Sequence, residues 1–97
     1  MNMNFLELIK NGSQLLKAKK IESHVLDSEL IASFVFNRSR ENILINSKEM
    51  VQSNEISFFN KLIERRKRYE PIAYIFYLNS QQFFLIFFQN LKKDLLS

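Results

Sequence analysis

Apolar residues recur at helical spacing through most of the chain. Between Asn4 and Lys19, Phe5, Leu8, Ile9, Leu15 and Leu16 lie mostly three or four apart, with Glu7, Lys10, Gln14 and Lys17 between them, which predicts an amphipathic first helix. Gly12 and Ser13 interrupt it. A glycine inside a helix costs about 1 kcal/mol relative to alanine, so this helix is expected to bend there or to depend on tertiary packing. A second helix begins after Ser23, whose hydroxyl is placed to accept a bond from a free backbone N–H, and carries Leu26, Leu30, Ile31, Phe34 and Val35 on a wide apolar face. Asp27 and Glu29 sit near its positive end, where carboxylates are favoured. Asn37 reads as a left-handed stop. Ser39 then caps a short third helix with Glu41 in its first turn and Ile43 and Leu44 along it. From Asn46 to Asn54 no period is sustained, so a loop is expected that delivers Ser53 or Asn54 as the next cap.

The fourth helix reads as the longest, with Ile56, Phe59, Leu62 and Ile63 turned inward and Lys61, Arg65, Lys67 and Arg68 toward solvent. Pro71 stops it, because proline in a helix interior costs about 3 kcal/mol and disfavours the helical region for the residue before it. Proline also opens helices, which predicts a short fifth helix over 71–76 set at an angle to the fourth. Beyond Tyr77 the pattern changes. A polar insert, Asn79 to Gln82, precedes Phe83-Phe84-Leu85-Ile86-Phe87-Phe88, an aromatic run that favours a buried strand with no convincing partner except Ile72 to Leu78. The fold class expected is all-α, a small bundle of four to five helices over residues 1–77. Residues 78–97 read as a stray strand or hairpin shaped to lean on something larger.

With 97 residues the chain suits one compact core. Cysteine is absent, which excludes disulfides and thiolate metal sites and fits a cytoplasmic location. The single glycine, Gly12, excludes the glycine-rich loops that cradle nucleotide phosphates. No signal-peptide pattern opens the chain. The polar insert at 79–82 divides the apolar C-terminal stretch, so the roughly 20-residue span that a bilayer requires is missing and no membrane partner is expected. The net charge of +4 permits an acidic partner or nucleic acid without selecting either.

No catalytic or metal-binding constellation emerges. His24 stands alone, and Asp27 and Glu29, two apart on a helix, point in different directions. Asp27 is instead expected to pair with Arg38, Arg40 or an arginine of the fourth helix and so to fix the bundle. Tyr74 is expected to pack its ring in the core with its hydroxyl on a polar group. The candidate partner-binding residues are Arg65, Arg66, Lys67 and Arg68, the densest positive charge in the sequence, against the simpler reading of a solvated helix end matched to its dipole. Basic and aromatic residues do not interleave along one face, which makes nucleic acid the weaker reading. Self-association through the aromatic tail is a third.

Three blocks carry a family likeness. Leu26-Asp27-Ser28-Glu29-Leu30-Ile31-Ala32, the turn Arg38-Ser39-Arg40, and Glu64-Arg65-Arg66 followed by Glu70-Pro71-Ile72-Ala73-Tyr74-Ile75 resemble, in order and spacing, the N-terminal helical domain of the release-factor glutamine N5-methyltransferases. The likeness spans nearly all of residues 4–76. It implies a helical module that helps to hold a class 1 peptide-chain release factor for methylation of a glutamine by a following S-adenosylmethionine-binding domain. The family's glycine-rich cofactor loop and Asn-Pro-Pro-Tyr motif are not in this sequence, so the chain alone is expected to bind no cofactor and to be inactive, with a separate catalytic domain as a second conceivable partner. Tyr69, Tyr77 and Leu85 stand where that family usually has glycine. A bulky residue at a position that needs positive φ costs about 1–2 kcal/mol or shifts the backbone, so the family's hinge to a catalytic domain is expected to be altered in this chain.

Overall fold

A computed structural model describes residues 2–79. Its elements are β1 (Met3–Asn4), α1 (Phe5–Ala18), α2 (His24–Phe36), α3 (Arg40–Ile45), β2 (Met50–Val51), α4 (Ser53–Lys67) and α5 (Ile72–Asn79). The five helices form the expected small bundle, with a two-stranded sheet added to the all-α class: α1 packs on α2 and α4, α2 also meets α4 and α3, and α5 closes against α4 and α2. No described helix is long and apolar enough to cross a membrane. The aromatic run Phe83 to Phe88 lies outside the described residues.

The strands were not legible in the sequence. β1 and β2 pair antiparallel, Met3 with Val51 and Asn4 with Met50, which places β2 inside the segment expected to be an irregular loop. Two residues per strand are too few to display alternation, and the pairing joins positions far apart in the chain. Asn4 ends β1 and begins α1, its side chain accepting from Glu7 N–H while Glu7 accepts from Asn4 N–H. This reciprocal cap satisfies two donors that the helix start leaves open. Helix α4 opens at Gln52, whose N–H donates to the Glu55 carboxylate at 2.9 Å, rather than through Ser53 or Asn54. Ser39 caps α3 as expected, accepting from Asn42 N–H.

The core joins Phe5, Leu8 and Leu16 of α1, Ile31 and Ala32 of α2, Ile43 of α3, Phe59, Leu62 and Ile63 of α4, and Ile75 of α5. Phe34 of α2 stacks on Phe76 of α5 at 4.5 Å, and Phe5 meets the Phe36 ring edge-on at 4.7 Å. Three of the apolar residues expected on the helices lie outside the core: Leu15, Leu26 and Leu44 are exposed. On α2 the inward stripe is instead Asp27, Ser28, Ile31 and Ala32, one residue out of phase with Leu26. Helix α5 also runs on through Asn79, past Phe76, so Ile72 to Leu78 is helix rather than a partner strand.

Of the two outcomes expected at Gly12, a bend or dependence on tertiary packing, the structure shows the second. Helix α1 is continuous through Gly12, and packing accounts for the glycine: a Cβ there would stand 2.6 Å from Ser28 Oγ and 2.8 Å from Phe59 Cζ. The missing side chain lets three helices approach, and the Ser28 hydroxyl donates to Ile9 O across the same contact. The left-handed helix ends, where glycine is favoured, are made by other residues: Lys20 (φ 62°), Asn37 (φ 52°) and Tyr69 (φ 67°). After α1, Lys20 N–H returns to Lys17 O and Ile21 N–H to Leu16 O; after α4, Tyr69 N–H returns to Arg66 O and Glu70 N–H to Arg65 O. Gly12→Ala is expected to lower unfolding stability by about 1–3 kcal/mol through overpacking, against a gain of about 1 kcal/mol in helix propensity. A urea midpoint equal to or above that of the parent chain would contradict the contact.

Candidate partner-binding surface

The C-terminal end of α4 and the turn into α5 carry the basic run. Because four cations follow one another on a helix, successive side chains diverge by about 100° and meet different neighbours. Arg65 donates to Glu70 through Nε (2.6 Å) and Nη2 (3.2 Å). Arg66 points inward, its Nε donating to Asp27 Oδ2 at 2.9 Å and its Nη1 to Glu70 O at 3.0 Å. Lys67 pairs with Glu64 at 2.9 Å. Arg68 is exposed and has no side-chain hydrogen bond or ion pair among the described residues.

Asp27 is 5% exposed, and its Oδ2 also accepts from the Ser23 hydroxyl at 2.8 Å. Ser23 does stand at the start of α2, but its hydroxyl makes no cap bond. With φ −82° and ψ 25° its backbone is not extended, and the side chain turns to Asp27 instead. The buried carboxylate is thus held from both sides, as a buried charge must be. Arg40 pairs with Glu29 at 2.7 Å, and Arg38 with Glu49 at 2.8 Å while lying over the Phe5 ring. Register offered a signal for Asp27: it lies four residues before Ile31 and therefore on the core side of α2.

Pro71 stands between α4 and α5, and its carbonyl accepts the first α5 bond, from Ile75 N–H at 3.0 Å. Tyr74 requires a correction. It is half exposed on the outside of α5, and the core anchor is its neighbour Ile75, turned about 100° away and fully buried. Tyr69, at the left-handed position after α4, reaches across to α1, where its hydroxyl donates to Lys19 O at 2.9 Å.

The hydrogen bond from Arg65 holds the Glu70 carboxyl below its ordinary range, against the desolvation that raises it, with further lowering from the charges of Arg65 and Arg68. The same bond raises Arg65. A carboxyl depressed in the folded state contributes stability above its unfolded value and loses it as pH falls through the lower folded value. In an NMR acid titration, the Glu70 midpoint is expected to lie below that measured in Arg65→Gln. Equal midpoints would remove the pair.

A shallow apolar groove of about 350 Å³ lies between α1, α2 and α3, over Phe5 and Ile9, with Leu6, Val25 and Leu44 exposed along it. Among the described residues no cluster of metal-ligating side chains occurs, and no buried side-chain polar atom lacks a hydrogen bond. The architecture is a closed bundle whose distinctive chemistry sits at the α4–α5 corner.

This arrangement has relatives. Over 75 residues, 77% of this chain, it is 36% identical to a bifunctional methyltransferase of Rickettsia felis, of which it spans 14%. It is 32% identical over 89 residues, 90% of this chain, to a release factor glutamine methyltransferase of Leptospira interrogans, of which it spans 30%, and 32% identical over 75 residues, again 77% of this chain, to one of Aliivibrio fischeri, of which it spans 26%. The chain therefore spans less than a third of the length of these relatives and matches their N-terminal region. No solved structure gives a significant match. The match to a family follows the fold itself, since residues 7–76 take in nearly all of α1, the whole of α2 to α4 and most of α5, with the Asp27–Arg66 bridge and the corner at Pro71. On that match the chain belongs to the PrmC N-terminal domain family.

Proposed function

We propose that this chain is the release-factor-binding module of a release factor glutamine methyltransferase and transfers no methyl group by itself. The observation that carries this reading is the match of residues 7–76, nearly the whole described bundle, to the N-terminal domain family whose full-length relatives bear that activity in their names. The bundle supports a binding role physically. Among the described residues the core is closed and the buried polar side chains are paired, so what the bundle offers a partner is its surface.

Among the residues of the basic run, Arg68 is the one that meets the partner. Arg65, Arg66 and Lys67 already hold Glu70, Asp27 and Glu64, and they act by keeping the corner rigid. S-adenosylmethionine belongs to the catalytic domain of the family, and the partner is a class 1 release factor in the cytoplasm. The test is a titration of purified class 1 release factor by isothermal calorimetry. Saturable binding at micromolar concentrations is expected, together with no methyl transfer when S-adenosylmethionine is added. Absence of binding at hundreds of micromolar would sink the reading.

A further inference from the structure

The two strained lysine and tyrosine positions described above are neighbours in space. Lys20 follows α1 and Tyr69 follows α4, and the bond from Tyr69 to Lys19 O ties the two helix ends together. One surface patch therefore collects Lys19, Lys20 and Arg68 around the Tyr69 ring, which is 62% exposed. Nearly fifty residues separate its halves in sequence. Both left-handed turns close a helix end by backbone hydrogen bonds, and Lys20 leads directly into the buried Ile21, so what marks the patch is the set of large exposed side chains that the two turns bring together.

We propose that this patch is the docking site for an acidic, partly apolar segment of the partner protein. The inference rests on the release-factor reading given above and deepens it. The chemistry is argued from what each group has left to offer. Lys19, Lys20 and Arg68 have no ion-pair partner among the described residues, so their charges are available to carboxylates. The Tyr69 hydroxyl has already donated its proton to Lys19 O, which leaves the ring as an apolar platform. Tyrosine and arginine together are the residue types that most often anchor protein interfaces. Two carboxylates flank the patch: Glu70 is held by Arg65, and Glu22 is exposed. They set limits on where an anionic partner can sit. A single ring with its hydroxyl tied down offers no run of stacking platforms, which favours a peptide over a nucleic-acid strand.

The strain supplies a test with opposed signs. Lys20→Gly places at a left-handed position the residue that adopts it freely, so it should raise Tm by about 2–6 °C while weakening release-factor binding several-fold. Tyr69→Gly relieves the same strain and removes the ring, and together with Arg68→Ala it should weaken binding at least tenfold. Val25→Ser, in the groove between α1, α2 and α3, should leave binding unchanged. If the glycine variants are more stable and bind as tightly as the parent chain, the patch is not the docking site. If only Val25→Ser weakens binding, the groove takes its place and the proposal falls.

Poly-L-glutamate and a single-stranded RNA of matched length, titrated in parallel over a salt series, separate the chemistry from the identity of the partner. Poly-L-glutamate binding that the patch variants abolish supports the patch even when the parent chain ignores the release factor, an outcome that would overturn only the reading on which it rests. Tighter binding of the RNA would overturn the assignment to an acidic protein segment.

Discussion

Phe59→Ala is expected to lower unfolding stability by about 3–5 kcal/mol, the range for truncating a buried aromatic ring. Phe59 is fully buried, and its ring tip occupies the space that Gly12 leaves between α1, α2 and α4. Removing the ring leaves a void bounded by helix backbone and by the Ser28 hydroxyl, which is fixed to Ile9 O and cannot swing in to fill it. A domain of this size holds a total of about 5–15 kcal/mol, so the variant should be partly unfolded at room temperature or melt far below the parent chain. Phe59→Leu keeps much of the volume and should cost clearly less. Urea unfolding followed by circular dichroism reads both. A loss under about 1 kcal/mol for the alanine variant would mean that the helices do not converge on this ring.

Asp27→Ala should cost about 2–4 kcal/mol for a different reason. It leaves the Arg66 guanidinium, itself only 19% exposed, without its carboxylate, and an unpaired charge so far from solvent is penalised heavily. The Ser23 hydroxyl loses its acceptor at the same time. The pair need not add net stability over an apolar one, because both ions lost hydration on folding. Asp27→Leu combined with Arg66→Met is therefore expected to recover most of the loss, and the four proteins of this cycle should show a coupling of about 1–3 kcal/mol. Purely additive single effects would show that the two side chains act independently. The bridge also bears on binding: it joins α2 to the end of α4 and so fixes the direction in which Arg68 and Tyr69 are presented.

The sequence was most readable where a local rule was sufficient. Helical spacing located α1, α2 and α4, Asn37 marked a left-handed end, Ser39 marked a cap, and Pro71 separated α4 from α5. It misled where side-chain chemistry on one element was decided by another. Leu26 looks like a core residue, yet α2 turns Asp27 inward because Arg66 waits on α4. Tyr74 looked like an anchor, yet Ile75 faces α4. Ser23 looked like a cap, yet its proton goes to Asp27. All four members of the basic run read as candidate partner contacts, whereas three of them pair with carboxylates of the bundle, and only Arg68 has no such partner among the described residues.

By itself the sequence determined the helical class, the approximate helix ends and the family, because periodicity, caps and short ordered blocks are local and survive without knowledge of neighbours. Tertiary structure alone decided why the single glycine sits in mid-helix: a Cβ there would stand 2.6–2.9 Å from Ser28 Oγ and the Phe59 ring, which no reading of α1 contains. It alone decided which charges are free, since a guanidinium is committed or available according to whether another helix brings a carboxylate within hydrogen-bond reach. Helix formation is governed by spacing along the chain, whereas partner recognition here depends on two helix ends that meet only after the bundle has closed.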